Sequence, residues 1–275
     1  MFTLAIVLIS CLTLILLYLF LLARPRAKKP PDGRLLCGYA HRGLHGGEIP
    51  ENSLAAFSLA CENGYGFELD VQLSADKEVM VFHDYTLVRM TGQSGKLSDF
   101  TKEELQKLHL KNTTETIPTL QEVLLQTDGK VPILVELKGE DLNTALCQKT
   151  AELLKEYKGA YCIESFNPWL IRKIKKYLPE AYVGQLYTNV SRDKKCKSPV
   201  HLLLSIMAFN FYARPDFIAY NKKDRNSFPV KLTTRFYPAQ KFVWTVKSDS
   251  ELALAKSLGE YPIFENTSRN AACTK

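Results

Sequence analysis

Most of the residues that could carry acid–base, metal-binding or phosphate-binding chemistry lie between residues 41 and 84, at or near the ends of short apolar runs. They are two histidines, one arginine and four acids: His41, Arg42, Glu51, Glu68, Asp70, His83 and Asp84. In parallel α/β folds, functional side chains gather where strands end. Histidines, carboxylates and an arginine together suit the cleavage of a phosphate ester on a metal ion.

Two of the acids are spaced to share a cation. Glu68 and Asp70 are separated by one residue on a predicted strand, so both side chains point to the same face. In a barrel that face is the interior, where two carboxylates are costly unless something neutralises them. A divalent cation, Mg²⁺ or Ca²⁺, would do so, and Glu136 at the end of a later apolar run offers a third oxygen ligand. The alternative is a salt-bridged cluster in which Lys138 and Arg42 neutralise the acids.

Two histidines directly follow apolar runs, and each precedes a charged residue. Histidine titrates near neutral pH and can give or take a proton during ester cleavage. We therefore predict that His41 and His83 form a general acid/base pair. The alternative is that each is a structural histidine at the end of a strand.

Four further residues are candidates for contacts with the substrate. Arg42 would grip two phosphate oxygens, and Lys138 would act as a point charge. Glu51 is either an acid favoured at a helix start or a residue that orients Arg42 or a substrate hydroxyl. Trp244 is either a core residue or a platform beneath a small polyol.

From residue 35 onwards, short apolar runs alternate with amphipathic helical patterns. The nine candidate strands are 35–40, 67–73, 78–83, 132–137, 160–165, 181–187, 217–221, 242–246 and 262–266. Repeated βα units predict a parallel sheet, and their number predicts a (β/α)8 TIM barrel. The connection between the second and third runs is too short for a crossover helix, so we predict a hairpin there. The alternative, a doubly wound open sheet, would be expected to carry a GxGxxG or Walker loop, and the sequence has neither.

The amino-terminal segment predicts a membrane helix. Residues 2–23 contain no charge, and roughly 20 apolar residues span a bilayer. A cleaved signal peptide would need a basic start and a small-residue cleavage site, which are missing. We predict a single-pass transmembrane anchor over 1–23, a basic Pro-rich linker over 24–34 and a catalytic domain over 35–275. The basic residues follow the helix, which places the catalytic domain in the cytoplasm.

The amino-acid composition of the chain limits the classes of partner that it is expected to bind. Hydrophobic content of 46% and charge of 24% predict a globular domain with a sizeable core. The basic residues cluster beside the apolar helix and no nucleic-acid-binding motif is found, so the net charge of +7 favours a membrane surface over nucleic acid. The scattered cysteines predict free thiols in a reducing compartment. The apolar segment 198–214 is too short for a confident second span; we predict a core helix there, with a membrane-facing patch as the alternative.

Several motifs appear in an order that resembles the glycerophosphodiester phosphodiesterase family, in a membrane-anchored bacterial-type form. They are HRG (41–43), PENS (50–53), ELDVQLS (68–74), HD (83–84), ELK (136–138), SFNP (165–168) and WTV (244–246). The resemblance implies a TIM barrel with a divalent metal held by Glu68, Asp70 and Glu136. It implies His41 and His83 as the acid/base pair, Arg42 and Lys138 as phosphate contacts, and Glu51 in or beside the site. The family's last strand commonly ends in Thr-Asp, where this chain has Glu265.

The reaction that the resemblance implies is hydrolysis of a glycerophosphodiester, small or lipid-derived, to sn-glycerol 3-phosphate and an alcohol. Two alternatives remain at this point. One is a phosphodiesterase of the same fold that acts at the membrane on lysophospholipids or on a glycerol-phosphate polymer. The other is a non-catalytic, membrane-tethered binding module, which would be expected to have lost part of the metal or histidine set.

Overall fold

A closed ring of parallel strands forms the body of the protein in a computed structural model, which describes residues 2–139, 145–190 and 198–265. The strands are β1 (Tyr39–Ala40), β2 (Gly66–Leu73), β3 (Val79–Val81), β4 (Ile133–Leu137), β5 (Tyr161–Ser165), β6 (Tyr182–Tyr187), β7 (Phe217–Asn221), β8 (Gln240–Val246) and β9 (Tyr261–Phe264). Their order is β1-β9-β8-β7-β6-β5-β4-β2-β3, and pairing of β1 with β2 closes the ring. The predicted TIM barrel is confirmed.

The strand that does not belong to the ring is β3. It pairs antiparallel with β2, with Val71 opposite Val81. The backbone N–H of Ser74 donates to the carbonyl of Glu78 at 3.0 Å, which closes the turn between the two strands. The predicted hairpin is thus confirmed, and it brings the residues that follow β3 level with Asp70, whose carbonyl accepts a hydrogen bond from Phe82 N–H at 2.9 Å.

The helices mostly lie on the outside of the barrel, and their ends follow the capping signals in the sequence. Ser53 caps the first barrel helix by accepting a hydrogen bond from Ala56 N–H, as expected from its type. The amphipathic pattern over residues 143–159 predicts a further helix, whose start lies outside the described residues. The described helices are α1 (Phe2–Leu17), α2 (Leu54–Glu62), α3 (Val88–Thr91), α4 (Lys102–Leu105), α5 (Leu120–Thr127), α6 (Ala145–Glu156), α7 (Pro168–Tyr177), α8 (Pro199–Ser205), α9 (Asn210–Ala213), α10 (Phe228–Phe236) and α11 (Asp249–Ser257).

Apolar side chains fill the barrel interior below the carboxyl ends of the strands. Tyr39, Leu134, Cys162 and Phe217 belong to one buried cluster there, together with other residues of the strands. Gly184 is needed in this cluster, because a Cβ atom at its position would lie 2.1 Å from the ring of Phe217. A packed, apolar floor confines the polar residues of the barrel to its upper layer.

Helix α1 carries the apolar amino-terminal segment and continues as a π-helical stretch, Tyr18–Ala23. Residues 2–20 have a mean hydropathy of 2.7 and are almost wholly exposed, so this helix is long and apolar enough to cross a membrane. The basic segment that follows is attached to the barrel, because Arg26 pairs with buried Asp216 at 2.5 Å.

The single core helix predicted over 198–214 is wrong for the whole segment. The segment forms two short helices, α8 and α9, and α8 exposes Val200, Leu202 and Leu203. Phe211 and Tyr212 in the second half of the segment are also exposed. An apolar composition alone does not reveal whether a helix faces a core or the surroundings of the protein.

Candidate active site

The predicted chemical residues meet at the carboxyl end of the barrel. They come from the ends of neighbouring elements: His41 follows β1, Glu68 and Asp70 lie in β2, His83 follows β3, Glu136 lies in β4 and Lys138 follows it. A cavity of about 330 Å³ opens beside them, with His83, Glu136, Lys138 and Phe166 among its lining residues.

Three buried carboxylates form the base of the site. Oxygen atoms of Glu68, Asp70 and Glu136 all lie within 4.8 Å of one another. Lys138 Nζ is 2.9 Å from Glu136 and 3.1 Å from Asp70. Asn52 donates to Asp70 Oδ2 at 2.8 Å. The salt-bridged cluster considered from the sequence is therefore present around Asp70.

The cations in this cluster do not neutralise all of the acids. Burial, reinforced by the charges of Asp70 and Glu136, raises the pKa of Glu68 well above its usual value. Burial likewise raises the pKa of Glu136 to about 7, against the opposing effect of Lys138. Glu68 Oε1 has no hydrogen-bond partner among the described residues. The three acids thus fit a divalent cation, which would supply the missing positive charge.

His41 is oriented by an acid from the last strand of the barrel. Its Nδ1 lies 2.5 Å from Glu265 Oε1, just after β9, and its Nε2 is 3.9 Å from Glu68. The hydrogen bond to His41 is the main reason that the pKa of Glu265 falls to about 2, with a further contribution from Lys247. Nε2 is therefore the nitrogen that faces the carboxylate cluster.

His83 begins a chain of charged contacts that reaches Arg42. Its Nδ1 lies 2.6 Å from Asp84, which accepts a hydrogen bond from Arg89 at 2.5 Å. Arg89 also donates to Glu51 at 2.7 Å, and Glu51 in turn accepts from Arg42 at 2.7 Å. Burial is the largest influence on His83 and lowers its pKa, so the neutral imidazole is favoured in the absence of substrate.

The backbone around Arg42 is held in an unusual conformation. Arg42 and Asn52 both adopt positive φ angles, +57° and +54°, and Asn52 N–H donates to the Arg42 carbonyl at 2.9 Å. Gly43 follows with φ +82°, and a Cβ there would lie 2.7 Å from Ala56 Cβ. Such backbone conformations cost about 1–3 kcal/mol each for residues other than glycine and are concentrated at functional sites. They direct the Arg42 N–H to Glu68 and its guanidinium to Glu51.

Two aromatic residues, Phe166 and Trp244, form one side of the opening of the cavity, which we call the mouth of the site. Trp244 donates its indole N–H to the Ala219 carbonyl at 3.3 Å, and its ring meets that of Phe166 edge-on at 5.6 Å. Phe166 lines the cavity. Trp244 therefore supports the wall of the mouth, and its stacking on a polyol remains a prediction.

Residues 41–268 match the model of the glycerophosphoryl diester phosphodiesterase family. The chain belongs to this family. It is 37% identical over 186 residues to a glycerophosphodiester phosphodiesterase of Caldanaerobacter subterraneus subsp. tengcongensis, a match that covers 63% of this chain and 73% of that one. A glycerophosphodiester phosphodiesterase of Bacillus altitudinis is 42% identical over 55% of this chain and 66% of its own.

A phosphodiesterase of Oleispira antarctica, solved in complex with the product sn-glycerol-3-phosphate, has the same fold. Its TM-score with this chain is 0.70 at 24% identity, over 83% of this chain and 92% of the other. The predicted membership of the family and the predicted class of enzyme, a phosphodiesterase, are thus confirmed.

Several residues that support the candidate site are not among those that the sequence singles out. They are Asn52 and Phe166, which lie in the PENS and SFNP motifs, and Arg89. Glu164, opposite Glu136 in the register of β4 and β5, is buried with Oε2 unpaired among the described residues. Its position at the end of the apolar run 160–165 was a usable signal, because it repeats that of Glu136 at the end of 132–137.

Proposed function

We propose that this chain hydrolyses glycerophosphodiesters to sn-glycerol 3-phosphate and an alcohol, with His41 and His83 as the general acid/base pair. The observation that carries this proposal is that two histidines lie beside one buried cluster of acids, and that a carboxylate orients each imidazole ring. His41 Nε2 is 3.9 Å from Glu68, and His83 interacts electrostatically with Asp70. Cleavage of a phosphodiester needs a proton removed at the nucleophile and a proton delivered to the leaving oxygen, and two histidines meet both needs.

Glu68, Asp70 and Glu136 would hold a divalent cation, Mg²⁺ or Ca²⁺. When bound, such an ion stabilises the negative charge that develops on the phosphoryl oxygens. The support is the unpartnered oxygen of Glu68 and the raised pKa values of Glu68 and Glu136, which indicate that positive charge is lacking. Arg42 and Lys138 add two fixed positive charges at the same edge and would draw the anionic phosphodiester to the site.

Two carboxylates determine which nitrogen of each imidazole ring is available to exchange a proton with the substrate. Glu265 engages Nδ1 of His41 and Asp84 engages Nδ1 of His83, so Nε2 of each ring is available for the substrate. One histidine would deprotonate the attacking hydroxyl, which is either water or the glycerol 2-hydroxyl. Attack by the 2-hydroxyl would form a cyclic phosphate, which water would then open to give glycerol 3-phosphate. The other would protonate the departing alkoxide.

Replacement of each histidine tests this assignment. His41→Ala and His83→Ala should each lower the rate of glycerol 3-phosphate release by about 10²–10⁴-fold, since each removes a proton-transfer group. His109→Ala is the matched control, because His109 is exposed and is not among the residues that line the cavity. Turnover near that of the wild type in either test variant would contradict the assignment.

We further propose that residues 1–23 anchor the chain as a single pass and that the linker 24–34 and the domain 35–275 lie on the cytoplasmic side. The support is the exposed apolar helix and the run of basic residues directly after it. Resistance of the full chain to alkaline extraction from membranes is expected, and protease added to right-side-out vesicles should leave the domain intact. Release on extraction, or digestion of the domain from outside, would contradict the anchor or its orientation.

A lysophospholipid is the second candidate substrate. The observation in its favour is that Phe166, at the cavity, also lines a small apolar pocket with Leu204 and Met207. That pocket would accommodate apolar atoms beyond the phosphodiester. Faster turnover of lysophosphatidylcholine than of glycerophosphocholine would favour this substrate, and the reverse order would favour the small one. The complete set of histidines and acids argues against a non-catalytic binding module.

A further inference from the structure

An apolar surface lies on helix α8. Val200, Leu202 and Leu203 are 46%, 59% and 38% exposed. Residues 198–213 include no Asp, Glu, Lys or Arg, so this segment itself contributes no charged side chain to the surface. Single exposed apolar residues are common on soluble proteins, but several on one short, uncharged helix indicate an interaction site.

This surface borders the mouth of the active site. Leu204, in the same helix, lines a pocket together with Thr188, which follows β6 at the carboxyl edge of the barrel. Phe166 lines that pocket and also the catalytic cavity. Phe228 is 63% exposed at the start of α10, which follows the carboxyl end of β7. Both helices thus present apolar side chains near the edge of the barrel that carries the site.

The apolar amino-terminal helix is fixed to the barrel beside α8. The hydroxyl of Tyr18 donates to the carbonyl of Ile206, the residue that follows α8. The hydroxyl of Tyr237 donates to the carbonyl of Leu19 at 2.7 Å. Further along, the backbone N–H of Arg26 donates to the Pro215 carbonyl at 2.7 Å. The end of the helix is therefore held by defined contacts.

These contacts show where the apolar helix meets the barrel. Tyr18 meets the end of α8, Leu19 meets Tyr237 between α10 and β8, and residue 26 lies at Pro215, just before β7. No residue of α1 is buried, so the helix leaves the barrel surface beside α8. At about 1.5 Å per residue, its residues 2–17 extend roughly 24 Å beyond Tyr18.

We propose that α8 and Phe228 rest in the surface of the bilayer that α1 spans, so that the mouth of the active site opens towards the lipid headgroups. The occupant of this apolar surface is the bilayer, because the helix that crosses it ends level with α8. The inference rests on the proposed anchor. It adds a second, independent contact between the catalytic domain and the membrane.

Photolabelling of the full chain tests this orientation. The chain is reconstituted in vesicles of phosphatidylcholine and phosphatidylglycerol that contain a phospholipid with a diazirine in its acyl chain. After irradiation, labelled peptides are quantified by mass spectrometry. Label is expected in 199–207 and at Phe228 as well as in 2–20. The peptide that contains Leu125 is the internal control, since this residue is 71% exposed on α5.

Matched variants extend the test. The double variant Leu202→Glu/Leu203→Glu should lower the labelling of Phe228 roughly tenfold, which corresponds to a loss of about 1.4 kcal/mol. Labelling of 2–20 should not change, and Leu125→Glu should leave the whole pattern unaltered. Hydrolysis of soluble glycerophosphocholine by each variant reports that it has folded.

The outcomes separate the two proposals. Label confined to 2–20, or label at Leu125 as strong as in 199–207, would overturn the docking of α8 while the anchor stands. Absence of label in 2–20 as well would overturn the anchor and the inference with it. Hydrolysis of glycerophosphocholine, measured in the same preparation, tests the catalytic proposal independently.

Discussion

Glu51→Gln is a substitution whose effect on stability can be worked out from the structure. The Glu51 carboxylate accepts hydrogen bonds from Arg42 at 2.7 Å and from Arg89 at 2.7 and 3.0 Å. Its side chain is only 12% exposed. Burial by itself would raise the pKa of Glu51, but the hydrogen bonds from Arg89 and the charge of Arg42 outweigh it and lower the pKa from 4.5 to about 2.

The lowered pKa of Glu51 gives the size and the sign of the effect of Glu51→Gln on stability. A lowering of about 2.5 pH units corresponds to about 3 kcal/mol of stability, which is fully present above the unfolded pKa of 4.5. It is lost as the pH falls towards the folded pKa, so about 1.4 kcal/mol remains at pH 3 by the same relation. Glutamine cannot carry the charge, and Glu51→Gln should lose this contribution at neutral pH.

Urea unfolding of the full chain in detergent, at pH 7, pH 5 and pH 3, measures the effect. The free energy of unfolding of Glu51→Gln should lie about 3 kcal/mol below that of the wild type at pH 7, and the gap should narrow to about 1.4 kcal/mol at pH 3. Glu48→Gln is the control, since Glu48 is an exposed acid in the same loop. Equal stability of Glu51→Gln and the wild type at pH 7, or a gap that does not change with pH, would show that the ionised Glu51 carboxylate does not stabilise the fold.

Three further outcomes are expected from the carboxylate cluster and its neighbours. Glu265→Gln should lower kcat by about 10–100-fold with little change in KM, because it removes the charge that orients His41. Steady-state kinetics, with Glu251→Gln as the control variant, measure this effect, and an unchanged kcat would contradict it. Lys138→Met should lower the free energy of unfolding of chelator-treated protein by about 3–5 kcal/mol, because it leaves buried acids unpaired. Urea unfolding measures this loss, and a loss below about 1 kcal/mol would show that the ion pairs of Lys138 contribute little to stability. Mg²⁺ or Ca²⁺ at 100 times its dissociation constant should stabilise the wild type by about 2.7 kcal/mol and Glu68→Gln far less; a thermal midpoint that no ion shifts would contradict the metal site.

The features that the sequence predicts best follow from local rules. The four-residue connection 74–77 cannot hold a crossover helix, which is why the hairpin of β2 and β3 could be foreseen. Ser53 is a helix cap by its type. The face shared by Glu68 and Asp70 follows from the two-residue period of a strand. Each of these inferences needs only neighbouring residues.

The features that the sequence does not predict depend on contacts between distant segments. Arg89 reaches Glu51 across 38 positions, and His41 finds its partner 224 positions away. Only the closure of the barrel brings such groups together. The sequence does not predict the exposure of Leu202 for a related reason. An apolar helix has the same composition whether it faces a core or a bilayer.

Identification of the products formed from glycerophosphocholine is the most direct test of the proposed hydrolysis. The purified full chain is assayed with Mg²⁺, with Ca²⁺ and with EDTA, and phosphorus NMR distinguishes sn-glycerol 3-phosphate from phosphocholine. We expect metal-dependent release of sn-glycerol 3-phosphate and choline, and none with EDTA. Release of phosphocholine, or no product with either ion, would contradict it.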